Sequence, residues 1–253
     1  MTILLLVIGL VLGFVLGFVG SLTGIGGGFL LMPILLLVFP EASVESLALV
    51  SLCVVFFNSF SGSVLALTKA RVRLRTGMAY GLVSLPTVWL GTQTQALVQA
   101  SVFRLLLGAL LFAGAILLFF QAAPAPRETQ PPALLWLTGT LLSLGIGFVS
   151  GFFALGGGFL FLPLLVYVLR YRIDQATATT QFIVGVGSLL ALALHLGRAE
   201  LAVAPMLLAG LVAGVLVGAP VGSAASTRWN AQAVLRLLAL LLVLAGLKFV
   251  TGF

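Results

Sequence analysis

Residues 1–40 carry no charged side chain, and neither do residues 129–169. A helix needs about 20 apolar residues to cross a bilayer, so each stretch has room for two membrane segments separated by its glycines. Further uncharged runs cover 46–68, 76–103, 105–126, 175–197 and 201–227. The chain is 62% hydrophobic and 7% charged, with a mean hydropathy of +1.31. No long polar stretch is left over for a soluble domain. The sequence predicts an all-α polytopic membrane protein whose solvent is the lipid bilayer.

The few polar residues exclude several function classes. The net charge is +7, but most bases sit in short loops between apolar runs, where they set orientation. They do not imply a nucleic-acid partner. The single Cys53 excludes an intrachain disulfide and a cysteine metal cluster. One histidine and five scattered acids make a hydrolytic or metal centre improbable, and no cofactor is expected. The N-terminus lacks a basic region before its apolar core, so it reads as a retained first segment and not a cleaved signal peptide.

The apolar runs resolve into ten segments: about 2–21, 27–39, 46–68, 76–94, 102–121, 133–151, 157–169, 175–196, 201–221 and 232–251. Segments 27–39 and 157–169 are short. They either tilt across the membrane or return as re-entrant halves of hairpins with the segments before them. The most polar linker, 122–132, contains Pro124, Pro126, Arg127, Glu128, Pro131 and Pro132. It divides the chain into halves 1–121 and 133–253, with five segments each. An odd number of segments inverts the second half. The loop charges agree. Lys69, Arg71, Arg73 and Arg75 place the loop after the third segment in the cytoplasm, whereas Arg198 and Glu200 in its counterpart cancel. Glu41 and Glu45 suit the outside, and Arg170 and Arg172 beside Asp174 suit the inside. Arg127 and Arg228 also fall inside, and both termini face out.

One pattern occurs in both halves. Gly17-Phe18-Val19 leads into Ile25-Gly26-Gly27-Gly28-Phe29 and on to Pro33. Gly147-Phe148-Val149 leads, 130 positions later, into Leu155-Gly156-Gly157-Gly158-Phe159 and on to Pro163. Ten of nineteen aligned positions are identical. Consecutive glycines cost a helix about 1 kcal/mol each, and backbone that is not helical at membrane depth must line a cavity or be buried in protein. A matched pair of interrupted segments, one per half, is the best pointer to a transporter's binding site. Pro33 and Pro163 read as either the first residue of the following helix or a kink in it. The free N–H groups and positive end of a helix starting inside the membrane form an anion site with no basic side chain. Close helix packing explains one glycine cluster equally well; repetition with the same trailing proline favours a site.

The expected substrate-binding residues are therefore Thr23, Gly24, Gly26, Gly27 and Gly28 in the first half and Gly156, Gly157 and Gly158 in the second. Ser51 and Asn58 on the third segment, with Thr180 and Gln181 on the eighth, are the preferred side chains, because hydroxyls and amides donate hydrogen bonds to an anion. Ser46, Ser59, Ser61, Ser63, Gln175, Thr177 and Thr179 are the other polar residues there. With a one-residue shift in register, Ser51 corresponds to Thr180 and Ser59 to Ser188. His195 reads as an interfacial histidine, with a proton relay as the alternative. Arg104 and Arg236 snorkel toward head groups, and Trp89, Trp136 and Trp229 are anchors or packing.

At these motifs the chain resembles the sulfite exporter (TauE/SafE) family of membrane permeases. The resemblance rests on Gly20-Ser21-Leu22-Thr23-Gly24-Ile25-Gly26-Gly27-Gly28 with Pro33, and on Ser150-Gly151-Phe152-Phe153-Ala154-Leu155-Gly156-Gly157-Gly158 with Pro163. Ala154 departs from the first copy, where Gly24 stands. The resemblance implies export of a small sulfur-containing anion, sulfite or an organosulfonate, across the cytoplasmic membrane. A secondary transporter with alternating access at a midplane site is the expected mechanism, with protons as a candidate coupling ion. A gated anion channel and an uptake permease for a related organic anion are the alternatives.

Overall fold

The computed structural model describes residues 2–119, 133–198, 200–201, 203–225 and 231–251. The linker 122–132, Arg228 and Trp229 lie outside the described residues, as does the side chain of Arg236. The described residues are helical, with no strand among them. In chain order the helices are α1 (Thr2–Thr23), α2 (Gly28–Val38), α3 (Val44–Thr68), α4 (Leu74–Leu97) and α5 (Ala100–Phe119). There follow α6 (Ala133–Phe153), α7 (Gly158–Pro163), α8 (Ile173–Leu196), α9 (Pro205–Ala225) and α10 (Ala231–Thr251). A π-helical turn over Leu164–Val168 extends α7. The apolar runs mark these helices to within a few residues. The largest differences are the start and the end of α9, which the hydropathy pattern places at 201 and 221. The chain becomes helical only at Pro205, whose fixed φ and missing N–H suit a first helical position.

Six of these helices are long and apolar enough to cross a membrane: α1, α3, α5, α6, α8 and α9. Burial follows the inside-out pattern of a membrane protein. Leu4, Val11, Leu82, Leu137, Val217 and Leu244 are exposed, while Ser51, Asn58, Ser59, Thr179, Thr180 and Gln181 are buried. In water this exposed apolar surface would drive association. In lipid it is the solvated surface.

Small residues bring the helices together. Gly9, Gly13 and Gly17 on α1 face Gly210, Gly214, Gly218 and Gly222 on α9, so the two backbones touch. α6 packs on α4 in a similar way, with Gly147 against Ser84, Gly151 against Val88, and Gly91 against Phe148 and Phe152. α3 and α8 form a central pair, and α5 packs on α10. Close backbone approach replaces the hydrophobic effect that lipid cannot supply. Gly13→Ala is therefore expected to destabilise the fold by about 1–3 kcal/mol, because its Cβ would lie 2.2 Å from the Leu211 carbonyl oxygen. Gly145→Ala meets nothing within 4 Å and should leave the melting temperature in detergent unchanged or slightly raised. Equal melting temperatures for the two variants would contradict this packing.

Hydrogen bonds tie the helix ends into two sets. At one end His195 of α8 bonds Gln95 of α4 at 2.9 Å, and Arg198 donates to Gln93 at 2.7 Å. Arg104, early in α5, donates to the carbonyl of Pro40, just past α2. At the other end the Arg73 backbone N–H donates to Thr179 of α8 at 3.0 Å, and Thr76 of α4 bonds Tyr171, just before α8, at 2.8 Å.

Candidate functional site at two helix breaks

Both glycine triplets interrupt a helix. α1 stops at Thr23 and α2 starts at Gly28; α6 stops at Phe153 and α7 starts at Gly158. The first break turns through left-handed backbone at Gly24 and Gly26, with φ of +75° and +84°. The second does so at Ala154, Gly156 and Gly157, with φ of +54°, +77° and +73°. Glycine adopts this region freely, whereas Ala154 holds it at about 1–3 kcal/mol. The middle glycines differ, since Gly27 is right-handed at φ −66°. Neither proline starts a helix. Pro33 lies inside α2, and Pro163 closes the regular part of α7 before the π turn. Of the two sequence readings, first residue or kink, the first is corrected: the glycine nearest each proline already begins the helix.

The breaks meet each other. The rings of Phe29 and Phe159, which follow the two triplets, stack with centroids 4.0 Å apart and planes inclined by 16°. A Cβ on Gly158 would lie 2.1 Å from the Ile25 carbonyl oxygen, and one on Gly28 would lie 2.9 Å from that of Leu155. Val55 of α3 and Val184 of α8 both press on Gly156. The central pair α3–α8 therefore lies directly against the crossing of the two breaks.

Some expected donors are engaged within the protein. The Gly26 N–H donates to the Gly20 carbonyl at 3.2 Å, which caps α1. The expectation that all three glycines of the first triplet offer N–H groups is corrected to Gly27, Gly28 and the following Phe29, for which no backbone acceptor occurs. Thr23 turns back and donates to Val19 O at 2.8 Å. Ser51 donates to Ala154 O at 2.9 Å, tying α3 to the second break. Gly24 packs against Thr177.

Other polar atoms on α3 and α8 have no partner. Asn58 Nδ2, Ser59 Oγ, Ser63 Oγ, Thr180 Oγ1 and both amide atoms of Gln181 are buried without a hydrogen bond. Exposure is 0% for Asn58, Ser59 and Thr180 and 1% for Gln181. Gln181 lies against Gly62, and Ser59 lies beside Gly185, so facing turns of α3 and α8 carry the cluster. Asn58 has one satisfied atom, since Ser21 of the first motif donates to Oδ1 at 3.3 Å. For Gln181, exchanging the amide N and O changes nothing: one donor and one acceptor stay unpaired either way. Each such group costs about 1–3 kcal/mol. Buried groups of this kind are satisfied by ordered water or by a bound ligand.

Sequence reasoning ranked Ser59 and Ser63 below the preferred four side chains. Their signal was helical spacing: Ser59 and Ser63 lie four apart on α3 and flank Gly62. The motif contains Ser21 but carries no signal of a role for it. His195 is a correction. It is 1% exposed, not interfacial, and its two ring nitrogens lie 2.8 Å from Ala191 O and 2.9 Å from Gln95 Oε1. Arg104 is fastened to Pro40 rather than free to snorkel. Trp136 packs on Tyr80 and lies under the Arg75 guanidinium, while Trp89 is exposed.

The profile of the sulfite exporter TauE/SafE family matches residues 9–249. The chain belongs to this family. Relatives of the chain carry transporter names. A "probable membrane transporter protein" of Xylella fastidiosa is 27% identical over 84% of this chain and 81% of its own. The "probable membrane transporter protein YunE" of Bacillus subtilis is 23% identical over 91% and 92%. The "probable membrane transporter protein MJ0441" of Methanocaldococcus jannaschii is 29% identical over 63% and 60%. No solved structure matches the chain. This TauE/SafE family member is thus a multi-pass membrane transporter.

Proposed function

We propose that this protein is a secondary transporter that exports a small sulfur-containing anion, sulfite or an organosulfonate, by alternating access at a site between the two helix breaks and the α3–α8 pair. The observation that carries this reading is the cluster of buried amide and hydroxyl groups without partners beside two helix starts. Hydroxyl and amide N–H groups there suit oxyanion oxygens. The substrate-binding groups are the N–H groups of Gly27, Gly28 and the second triplet, with Asn58, Ser59, Thr180 and Gln181. Ser51, Thr23, Gly24 and Gly26 shape the breaks around them.

Two inverted halves supply the moving parts. The pairing of helices supports this: α1 packs on α9 as α6 packs on α4, and α3–α8 and α5–α10 each join counterparts. Exchanging first-half helices for their second-half equivalents leaves the set of pairs unchanged. α1–α2 and α6–α7 then enter from opposite sides, and the contact of Pro40 with Arg104 puts the end of α2 beside the start of α5. The protein resides in the cytoplasmic membrane with both termini outside. Efflux from a negative-inside cell gains about 2.3 kcal/mol per charge per 100 mV, so export runs with or without proton coupling.

A thermal-shift panel of sulfite, thiosulfate, sulfoacetate, sulfate, taurine and chloride on purified protein tests the site, since ligand binding to the folded state raises its melting temperature. Stabilisation by sulfite and not by chloride is expected. Proteoliposomes loaded with sulfite should then show counterflow, which a carrier produces and an open pore does not. Stabilisation by no anion in the panel would refute the reading.

A further inference from the structure

We propose that the site takes singly charged oxyanions and rejects doubly charged ones, so that sulfite travels as hydrogensulfite. The inference rests on the anion-transport reading above and concerns the charge of the substrate. Among the described residues no lysine, arginine, aspartate or glutamate is buried. The buried polar side chains are serines, threonines, Asn58, Gln95, Gln181 and His195. His195 lies fourteen residues beyond Gln181 on α8, about 21 Å of helix rise away, and is bonded to Ala191 and Gln95. Arg73 is fastened at the start of α8 by Gln175, with its guanidinium 5.6 Å from the ring of Tyr171. Arg71 donates to Ser223 O near the end of α9, and Arg104 donates to Pro40 O.

The positive charge at the crossing is therefore partial. A helix start carries roughly half an elementary charge, and two stretches, Gly28–Val38 and Gly158–Val168, begin there. Together they balance about one negative charge. A second charge meets only neutral dipoles, while the cost of burying an ion rises with the square of its charge. Hydrogen bonding points the same way. The unpaired Gln181 carbonyl needs a donor. Hydrogensulfite brings a proton, and the sulfite dianion does not.

The test needs no variant. Binding to the purified full chain is titrated for methanesulfonate, permanently a monoanion, and for sulfoacetate, the same head group with a carboxylate added. Sulfite is titrated from mildly acidic to mildly alkaline pH beside methanesulfonate. His195 and Asp174 on α8 and Glu45 and Cys53 on α3 are the other ionisable side chains on these two helices. Their effect falls on methanesulfonate as well, so the ratio of the two affinities isolates the ligand's own proton. Sulfoacetate is expected to bind at least about a hundredfold more weakly than methanesulfonate. The affinity for sulfite relative to methanesulfonate should fall about tenfold per pH unit once hydrogensulfite loses its proton. Sulfoacetate or sulfate binding as tightly as methanesulfonate, or a ratio that is flat with pH, would overturn the charge rule and leave the anion site standing. Binding of none of these anions would overturn both.

Discussion

Gln181→Met is expected to yield a protein that is more stable than its parent and inactive in transport. Gln181 is 1% exposed, and neither amide atom has a partner. Its desolvation is a standing cost of about 1–3 kcal/mol. Methionine has a similar length and a flexible apolar stem that adapts to the space beside Gly62, so the substitution removes this cost. It also removes the group we assign to the substrate. Melting temperature should rise while sulfite counterflow disappears. Asn58→Leu supplies the contrast. Ser21 donates to Asn58, so removing the amide strands that hydroxyl and offsets part of the gain. A Gln181→Met protein that transports normally would remove Gln181 from the site, whatever its stability. Destabilisation with loss of transport would instead make Gln181 a structural residue.

Gly158→Ala should abolish transport and lower stability together, while Gly27→Ala should do neither. The triplets look alike in sequence, but their surroundings differ. A Cβ on Gly158 would lie 2.1 Å from the Ile25 carbonyl oxygen and 2.6 Å from its carbon. Both obstacles are backbone, so relief requires pushing the breaks apart. Such overpacking costs about 1–3 kcal/mol, and separating the helix starts also dissolves the shared site. Gly27 has no neighbour closer than 3.5 Å to its would-be Cβ, and its φ of −66° suits any L-residue. The pair is compared by melting temperature and by counterflow in the same lipid. Equal damage from both substitutions would mean that the two breaks do not touch as described.

Membrane architecture was legible because it depends on local quantities. A run of uncharged apolar residues has one stable form in lipid, a helix that satisfies its own backbone, so the helix spans agreed with the hydropathy pattern to within a few residues. The breaks were legible for the same reason, since adjacent glycines weaken a helix wherever they stand. The donors were less so. Whether the Gly26 N–H is free depends on a carbonyl six residues earlier, at Gly20, and nothing in the motif announces that cap. His195 read as interfacial from its place near a segment end, yet Gln95, a hundred positions away, buries it.

By itself the sequence determined a membrane-embedded helical transporter with two matched interruptions, because charge, hydropathy and glycine act over a few residues at a time. Only the tertiary structure decided which polar groups are left unpaired. Ser51 and Thr180 correspond when the two halves of the sequence are aligned with a one-residue shift, but Ser51 finds Ala154 O and Thr180 Oγ1 finds nothing. That difference arises from the packing of helices far apart in the chain, and it separates a residue that holds the fold from one that is available to a substrate.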